Sequence, residues 1–395
     1  MKRKFRIIVG MLLLAIPLCM NAQVKPIKPT EEPKKVKVEK AEQEKLEKEI
    51  ADKESGEQKQ HKGGFEMPKI SGFVQGMYIA NLNEEGNLID NTLRMRRVRL
   101  SVDGTLFKGL TYKIQGDFTR KPMLVDAYVK YKVCDAFAIQ IGQFKTPFTI
   151  ESPINPVNLE IFDYGESVQK LVGYSDVCGV GSLGRDLGIM ATGSLFPIKG
   201  EEGIKYHVVD YALGVFNGNG ANELDNNNRK DVVGRLYVHP GLKDLTLSGS
   251  FYLGKYTKGD DLNCTRNRWS AGAQYNDGNL LIRAEYISGT TGFMTNVVDE
   301  DGQVTDVIEL PTKSQGYYAV AGYNIKLGKE GKQTLMPVLR YEHFAESPLM
   351  GTDWYTVGIN YWPLKSLNFK VDYSLIMNSS DINGHRMVGM VCYKF

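Results

Sequence analysis

The chain closes on an alternating strand, Met387-Val388-Gly389-Met390-Val391-Cys392-Tyr393-Lys394-Phe395, and its last residue is itself aromatic. Strand side chains alternate, so Val391, Tyr393 and Phe395 share one face. That face can sit in hydrocarbon with its rings at the membrane interface, which is how a strand crosses an outer membrane. The body of the chain repeats the pattern. In Leu367 to Leu375, the residues Leu367, Phe369, Val371, Tyr373 and Leu375 face one way, and Asn368, Lys370, Asp372 and Ser374 face the other. Leu110 to Phe118 and Val125 to Val133 alternate in the same way. A soluble sandwich would also alternate, but its apolar face would meet a second sheet. About sixteen strand-like runs between Ile70 and Phe395 predict an all-β fold, a transmembrane antiparallel up-and-down β-barrel. Tyr112, Phe118, Tyr131, Phe137, Tyr355, Tyr361 and Tyr373 sit towards strand ends, as an interfacial girdle requires.

The connections support this reading. Short links such as Phe107-Lys108-Gly109, Cys134-Asp135, His239-Pro240-Gly241, Asn276-Asp277-Gly278 and Pro363-Leu364-Lys365 alternate with longer polar ones. The longer ones are expected near 80–91, 146–184, 217–230, 255–266, 288–312, 345–352 and 377–384. Tight periplasmic turns and long extracellular loops predict that alternation. Arg120-Lys121-Pro122 is the exception, short where an outer loop should be long.

The start of the chain sets the compartment. Lys2, Arg3, Lys4 and Arg6 precede a short apolar run from Ile7 to Met20, and Met20-Asn21-Ala22 offers a cleavage point. Residues 1–22 therefore read as a signal peptide, too short and wrongly flanked for a membrane anchor. Residues 23–66 form a Lys/Glu-rich periplasmic leader that lacks the apolar surface to offset its ordering entropy. Within it, Ala41 to Asp52 has the composition of a short helix. The barrel is expected over 67–395. Past the signal there is no long apolar run, and a net charge of +3 argues for no nucleic-acid partner. Cys134, Cys178, Cys264 and Cys392 show no metal-ligand spacing, although an exported chain could pair Cys178 with Cys264.

About sixteen strands leave a water-filled lumen. By parity its wall carries Arg97, Arg99, Lys113, Lys130, Lys132, Arg235, Arg268, Arg283, Arg340 and Lys370. The same faces carry Asp103, Asp117, Asp126, Asp210, Glu285, Glu342 and Asp372. A ladder of Arg and Lys on a pore wall replaces part of an anion's hydration and repels cations, whereas cross-strand pairing would leave only a wet, neutral wall. The link 146–184, with Pro147, Phe148, Pro153, Pro156, Phe162 and Tyr164, is built to pack. It is the candidate to fold inward and constrict the channel. Its charges, Lys145, Glu151, Glu160, Asp163, Glu166, Lys170 and Asp176, are mostly acidic. No catalytic residue, metal or cofactor is expected: His207, His239, His343 and His385 sit in no hydrolase motif.

Three stretches, Arg96 to Phe118, Ile139 to Glu151 and Gly184-Arg185-Asp186-Leu187-Gly188, resemble the phosphate-selective porin O and P family. The resemblance spans about residues 66–395. It implies a sixteen-stranded barrel in the bacterial outer membrane, a homotrimer, and phosphate or polyphosphate drawn past inward-folded loops along an Arg- and Lys-lined lumen. The expected partners are outer-membrane lipid and small inorganic or organic anions. Two other readings stay open, a general porin without selectivity and a barrel adhesin or assembly protein acting through its loops.

Overall fold

The computed structural model describes residues 67–200, 203–242, 244–257, 263–298, 303–328, 331–347, 350–378 and 381–395. The expected signal peptide and charged leader lie outside them.

Seventeen strands form one sheet. β1 (Lys69–Leu82), β2 (Leu88–Phe107), β3 (Leu110–Asp117), β4 (Leu124–Cys134) and β5 (Phe137–Lys145) precede the link 146–184. After it come β6 (Arg185–Gly200), β7 (Gly203–Phe216), β8 (Asp231–Val238), β9 (Leu245–Thr257) and β10 (Asn263–Asn276). Then follow β11 (Leu280–Val298), β12 (Val304–Tyr323), β13 (Ile325–Leu327) and β14 (Gln333–Ser347). β15 (Met350–Leu364), β16 (Leu367–Asn378) and β17 (Asp381–Lys394) complete the wall. β13 continues β12 beyond Asn324 along the same neighbour, β14, so the seventeen strands make a closed antiparallel barrel of sixteen staves.

Closure is made by β1 and β17, paired from Phe73↔Lys394 to Leu82↔His385. Phe395 finishes the seam: its N–H donates to Gly72 O and its carbonyl accepts from Gly72 N–H, both at 3.0 Å. A sheet edge in lipid would leave unpaired backbone groups with no water to satisfy them, so this seam is what permits the fold to span a membrane. The lipid face is open and apolar. Leu339 is 63% exposed, Val371 61% and Ile359 53%, which a sandwich with a covering sheet would not show.

An outward-facing aromatic belt marks the outer interface. Trp269 stacks near Tyr286 at 5.2 Å, Tyr317 on His343 at 5.1 Å, Tyr341 near Tyr355 at 5.0 Å, and Tyr373 on His385 at 5.8 Å. Several links expected to be long are instead strand. β11 and β12 stay paired out to Val298↔Val304, and β9 and β10 out to Thr257↔Asn263. Within the described residues these expected loops at 80–91, 255–266, 288–312, 345–352 and 377–384 are corrected to strand at 80–82, 88–91, 255–257, 263–266, 288–298, 304–312, 345–347, 350–352, 377–378 and 381–384. β2 and β12 have 20 residues each, about twice the 9–11 a tilted strand needs to cross the hydrocarbon. Above the lipid both faces meet water, so pairing continues without the alternation that reveals a strand. Links 146–184 and 217–230 remain true connections.

The seam depends on a glycine. A Cβ at Gly72 would meet Arg99 O at 2.5 Å and the Phe395 ring at 2.7 Å. Gly72→Leu should therefore prevent the last residue from docking and leave the barrel unclosed. The fraction of protein running as the compact, heat-modifiable form on a semi-native gel should fall sharply; wild-type behaviour would show that the ring can relocate.

Candidate functional site: a lumen divided by an inward-folded loop

Link 146–184 turns into the barrel and packs as a core. It carries a 3-10 turn at Pro156–Asn158, capped by the Asn155 side chain, and a short helix α1 (Glu166–Leu171). Phe148, Leu159, Ile161, Tyr164, Val168 and Leu171 are buried against Phe216, Tyr252, Ile287, Val320, Val338 and Phe344 of the wall. Burying a Leu, Ile or Phe side chain contributes about 1.5–3 kcal/mol each, enough together to hold the loop in one place.

The polar contacts fix its register. Glu151 lies between Arg283 and Arg340, and its other oxygen accepts from Gly165 N–H at 2.9 Å. Glu160 pairs with Arg283. Asp163 pairs with Arg97 at 2.8 Å and with Arg96. Asp176 pairs with Arg268 at 2.6 Å and Arg266 at 3.2 Å. Lys370 donates to the Leu159 and Ile161 carbonyls, and Asp372 accepts from Phe162 N–H at 2.8 Å. Glu342 accepts from both Ser167 N–H and Ser167 Oγ at 2.8 Å. Of the expected loop acids, Glu166 pairs within the loop itself, 3.9 Å from Lys170 in α1. Burial opposes the charge on Asp163, but Arg97 and Arg96 outweigh it and hold the carboxyl at about 2. Glu151 is likewise held low by Arg340 and Arg283 against its burial.

Of the expected pore-lining bases, Arg268, Arg283, Arg340 and Lys370 do face inward but lie beneath the loop; Arg283 is 1% exposed. Parity places these side chains but cannot show what covers them. The remaining bases line three cavities along the wall from β2 to β8, two of them bounded also by the loop. The outer cavity, about 360 Å³, is bounded by Arg94, Arg96, Arg97, Arg99 and Arg120 with Asp117, Gln169 and Tyr174. The middle one, about 250 Å³, has Arg99, Lys113, Lys145 and Arg185 with Asp126, Gln115 and Tyr128. The inner one, about 710 Å³, has Lys130, Lys132 and Arg235 with Asp135, Asp210 and Tyr237.

The acids on this lane are taken up. Arg99 pairs with Asp117 at 2.9 Å, Arg185 with Asp126 at 2.7 Å, Lys113 with Asp103 at 3.2 Å, and Lys132 with Asp135 at 2.7 Å. Asp210 lies 3.0 Å from His239. Among the described residues, Arg94, Arg120, Lys130, Lys145 and Arg235 form no ion pair with a carboxylate. Lys145 donates instead to Ile154 O at 3.0 Å and Tyr164 OH at 2.8 Å, fastening the start of the loop.

Arg94, Arg96 and Arg120 were not expected on the lane, and two of them owe their place to one bulge. β1 pairs Gln75↔Arg97 and then Gly76↔Met95, so Arg96 is the extra residue. Beyond it the facing reverses, and Arg94 lies opposite inward Met77 while Met95 turns out. The run of four arginines between positions 94 and 99 was the only available signal. Cys178 and Cys264 do not form a disulfide.

Residues 70–395 match the sequence profile of the family described as phosphate-selective porin O and P. The chain belongs to that family. It is an outer-membrane porin, a channel built on a sixteen-stave barrel. No curated protein sequence matches it. Solved structures share the fold. The anion-selective porin from Comamonas acidovorans is 14% identical with a TM-score of 0.58, over 83% of this chain and 99% of that one. OmpF of Salmonella typhi, in complex with daunomycin, is 15% identical with a TM-score of 0.58, over 85% and 99%. The trimer form of OmpT from Vibrio cholerae is 12% identical with a TM-score of 0.55, over 83% and 99%.

Two measurements probe the porin's loop. Arg340→Gln leaves Glu151 facing Arg283 alone, and breaking a buried pair costs about 3–5 kcal/mol. Single-channel conductance in this variant should rise and become noisy; an unchanged quiet channel would mean the apolar contacts suffice. The second uses pH. Carboxyls held below their ordinary range stabilise the docked loop above that range and lose the effect as pH falls through the folded value. Between pH 4 and 2 the fluorescence of Trp354 and Trp362, which pack on this core, should shift red while the β-sheet circular dichroism stays.

Proposed function

We propose that this porin conducts small hydrophilic anions in preference to cations, with phosphate or polyphosphate as its candidate solute. One observation carries the reading. Among the described residues on the open side of the lumen, Arg94, Arg120, Lys130, Lys145, Lys205 and Arg235 form no ion pair with a carboxylate, while Asp103, Asp117, Asp126 and Asp135 are each held by a Lys or Arg. A low-dielectric wall focuses that surplus field into the lane, attracting anions and excluding cations. The acidic residues of the loop do not counter it, because Glu151, Glu160 and Asp176 point to the opposite wall. Asp163 sits at the border and is shared by two arginines.

The proposed permeation route runs from Arg94 and Arg120 in the outer cavity, past Arg99, Lys113, Lys145 and Arg185 in the middle one, to Lys130, Lys132 and Arg235 near the inner turns. Guanidinium forks suit the oxygens of phosphate-type anions in particular. The family description supports phosphate as the solute, and the trimer form of the Vibrio protein supports a homotrimer for this one.

The test is the zero-current potential in a planar bilayer under a salt gradient, followed by titration with phosphate. Wild-type protein should give an anion-signed potential and lose chloride current at low phosphate. Arg94→Gln with Arg120→Gln removes charge without breaking an ion pair. It should lower the anion-to-cation permeability ratio several-fold at unchanged channel noise. An unchanged ratio would rule out these two residues as part of the filter, and a cation-signed wild-type potential would overturn the anion reading itself.

A further inference from the structure

The inner cavity differs from the other two in more than its size. At about 710 Å³ it is within the range of small-molecule sites and much roomier than an inorganic anion requires. It is also the one of the three that combines unpaired cations with several tyrosine rings. Lys130 on β4, Lys205 on β7 and Arg235 on β8 line it and form no ion pair with a carboxylate among the described residues. Lys132 and Asp210 are occupied with Asp135 and His239. Tyr206 and Tyr237 bound the same space.

Arg235 is held in place from two sides. Its guanidinium carbon lies 4.4 Å from the centre of the Tyr237 ring, and Nη1 donates to Thr149 O of the inward loop at 3.4 Å. Parity places Tyr237 inward, opposite Asp210. A conduit for hydrated inorganic ions gains nothing from aromatic rings on a water-facing wall, which present apolar surface to the solvent. A solute with a flat apolar body and a negative group would use both features. Its anionic end would meet Arg235 and Lys130, and its ring would lie along Tyr237 or Tyr206.

We infer that the inner cavity is a binding site for small organic anions carrying a flat ring, of which an aromatic carboxylate is the simplest. The inference rests on the anion reading above and extends it from inorganic to organic solutes. Binding at the inner end holds such a solute beyond the middle cavity of the lane. It therefore acts as a local trap on the periplasmic side.

The test compares benzoate with acetate on the full-length mature porin, inserted in one orientation in a planar bilayer, with chloride carrying the current. Both have the same charged group, and only benzoate has a ring. Added at the inner face, benzoate should reduce the chloride current at roughly five-fold lower concentration than acetate, the advantage that one aromatic contact provides. Tyr237→Phe should keep that advantage, Tyr237→Leu should reduce it, and Arg235→Gln should weaken both anions alike. Equal potency of benzoate and acetate on the wild-type channel would overturn the inference without requiring any variant to fold. So would an undiminished benzoate advantage in a conducting channel carrying both Tyr237→Leu and Tyr206→Leu. Failure of the underlying anion reading looks different: a cation-signed zero-current potential with neither carboxylate blocking.

Discussion

The lumen is organised by the carboxylate of Glu151 set between Arg283 and Arg340. A buried carboxylate is costly unless it is paired and hydrogen-bonded. Here two guanidinium groups and the Gly165 amide meet that need from different parts of the chain. Gly165 has to be a glycine, because a Cβ there would fall 1.7 Å from the Arg340 side chain and 2.5 Å from Glu342. The apolar contacts of Leu159, Val168 and Leu171 supply most of the burial, but such contacts are tolerant of register. The charged ones are not, and they make the loop's position specific.

That pairing also decides the electrostatics of the pore. An acidic loop in a barrel with a basic wall could cancel the field everywhere. Instead Glu151, Glu160 and Asp176 of the loop are taken up by Arg266, Arg268, Arg283 and Arg340 of β10, β11 and β14, and Asp163 by Arg96 and Arg97 of β2. The channel that remains follows β2 to β8, where Asp103, Asp117, Asp126 and Asp135 are matched one to one and the other bases are in surplus. The proposed anion preference thus depends on residues away from the open lane, because loosening Glu151 or Asp176 would return negative charge to the lumen.

Much of the fold was legible in the sequence because lipid imposes a simple rule. Val371, Leu339 and Ile359 must be apolar every second residue, and Phe395 closes the series. Legibility stopped where lipid stopped. The outer half of β11 and β12 is wet on both faces, so its residues alternate no longer and read as a loop. The candidate site was legible at the level of facing: Arg97, Arg99, Arg283 and Lys370 all point inward as parity requires. Whether each meets water or the loop depends on a packing that spans well over a hundred residues in sequence, as in the contact of Glu151 with Arg340. The inward turn of Arg94 was hidden for a different reason. A bulge shifts facing by one residue and leaves no mark on an otherwise regular pattern.

The seam and the arginine cluster of β2 are mechanically one structure. β1 is paired on one side with the last strand and on the other with the bulged strand that carries Arg94 to Arg99. At Gly72 the two neighbours come so close that a single methyl group would touch both the Phe395 ring and the Arg99 carbonyl. Arg99 in turn lies 5.7 Å over the ring of Phe73, the next residue of β1. A barrel that failed to close would therefore lose the frame that holds Arg96, Arg97 and Arg99, and with it the partners of Asp163. The pairing of Phe395 with Gly72 that closes the barrel therefore also bears on the geometry of the arginine cluster at 94–99.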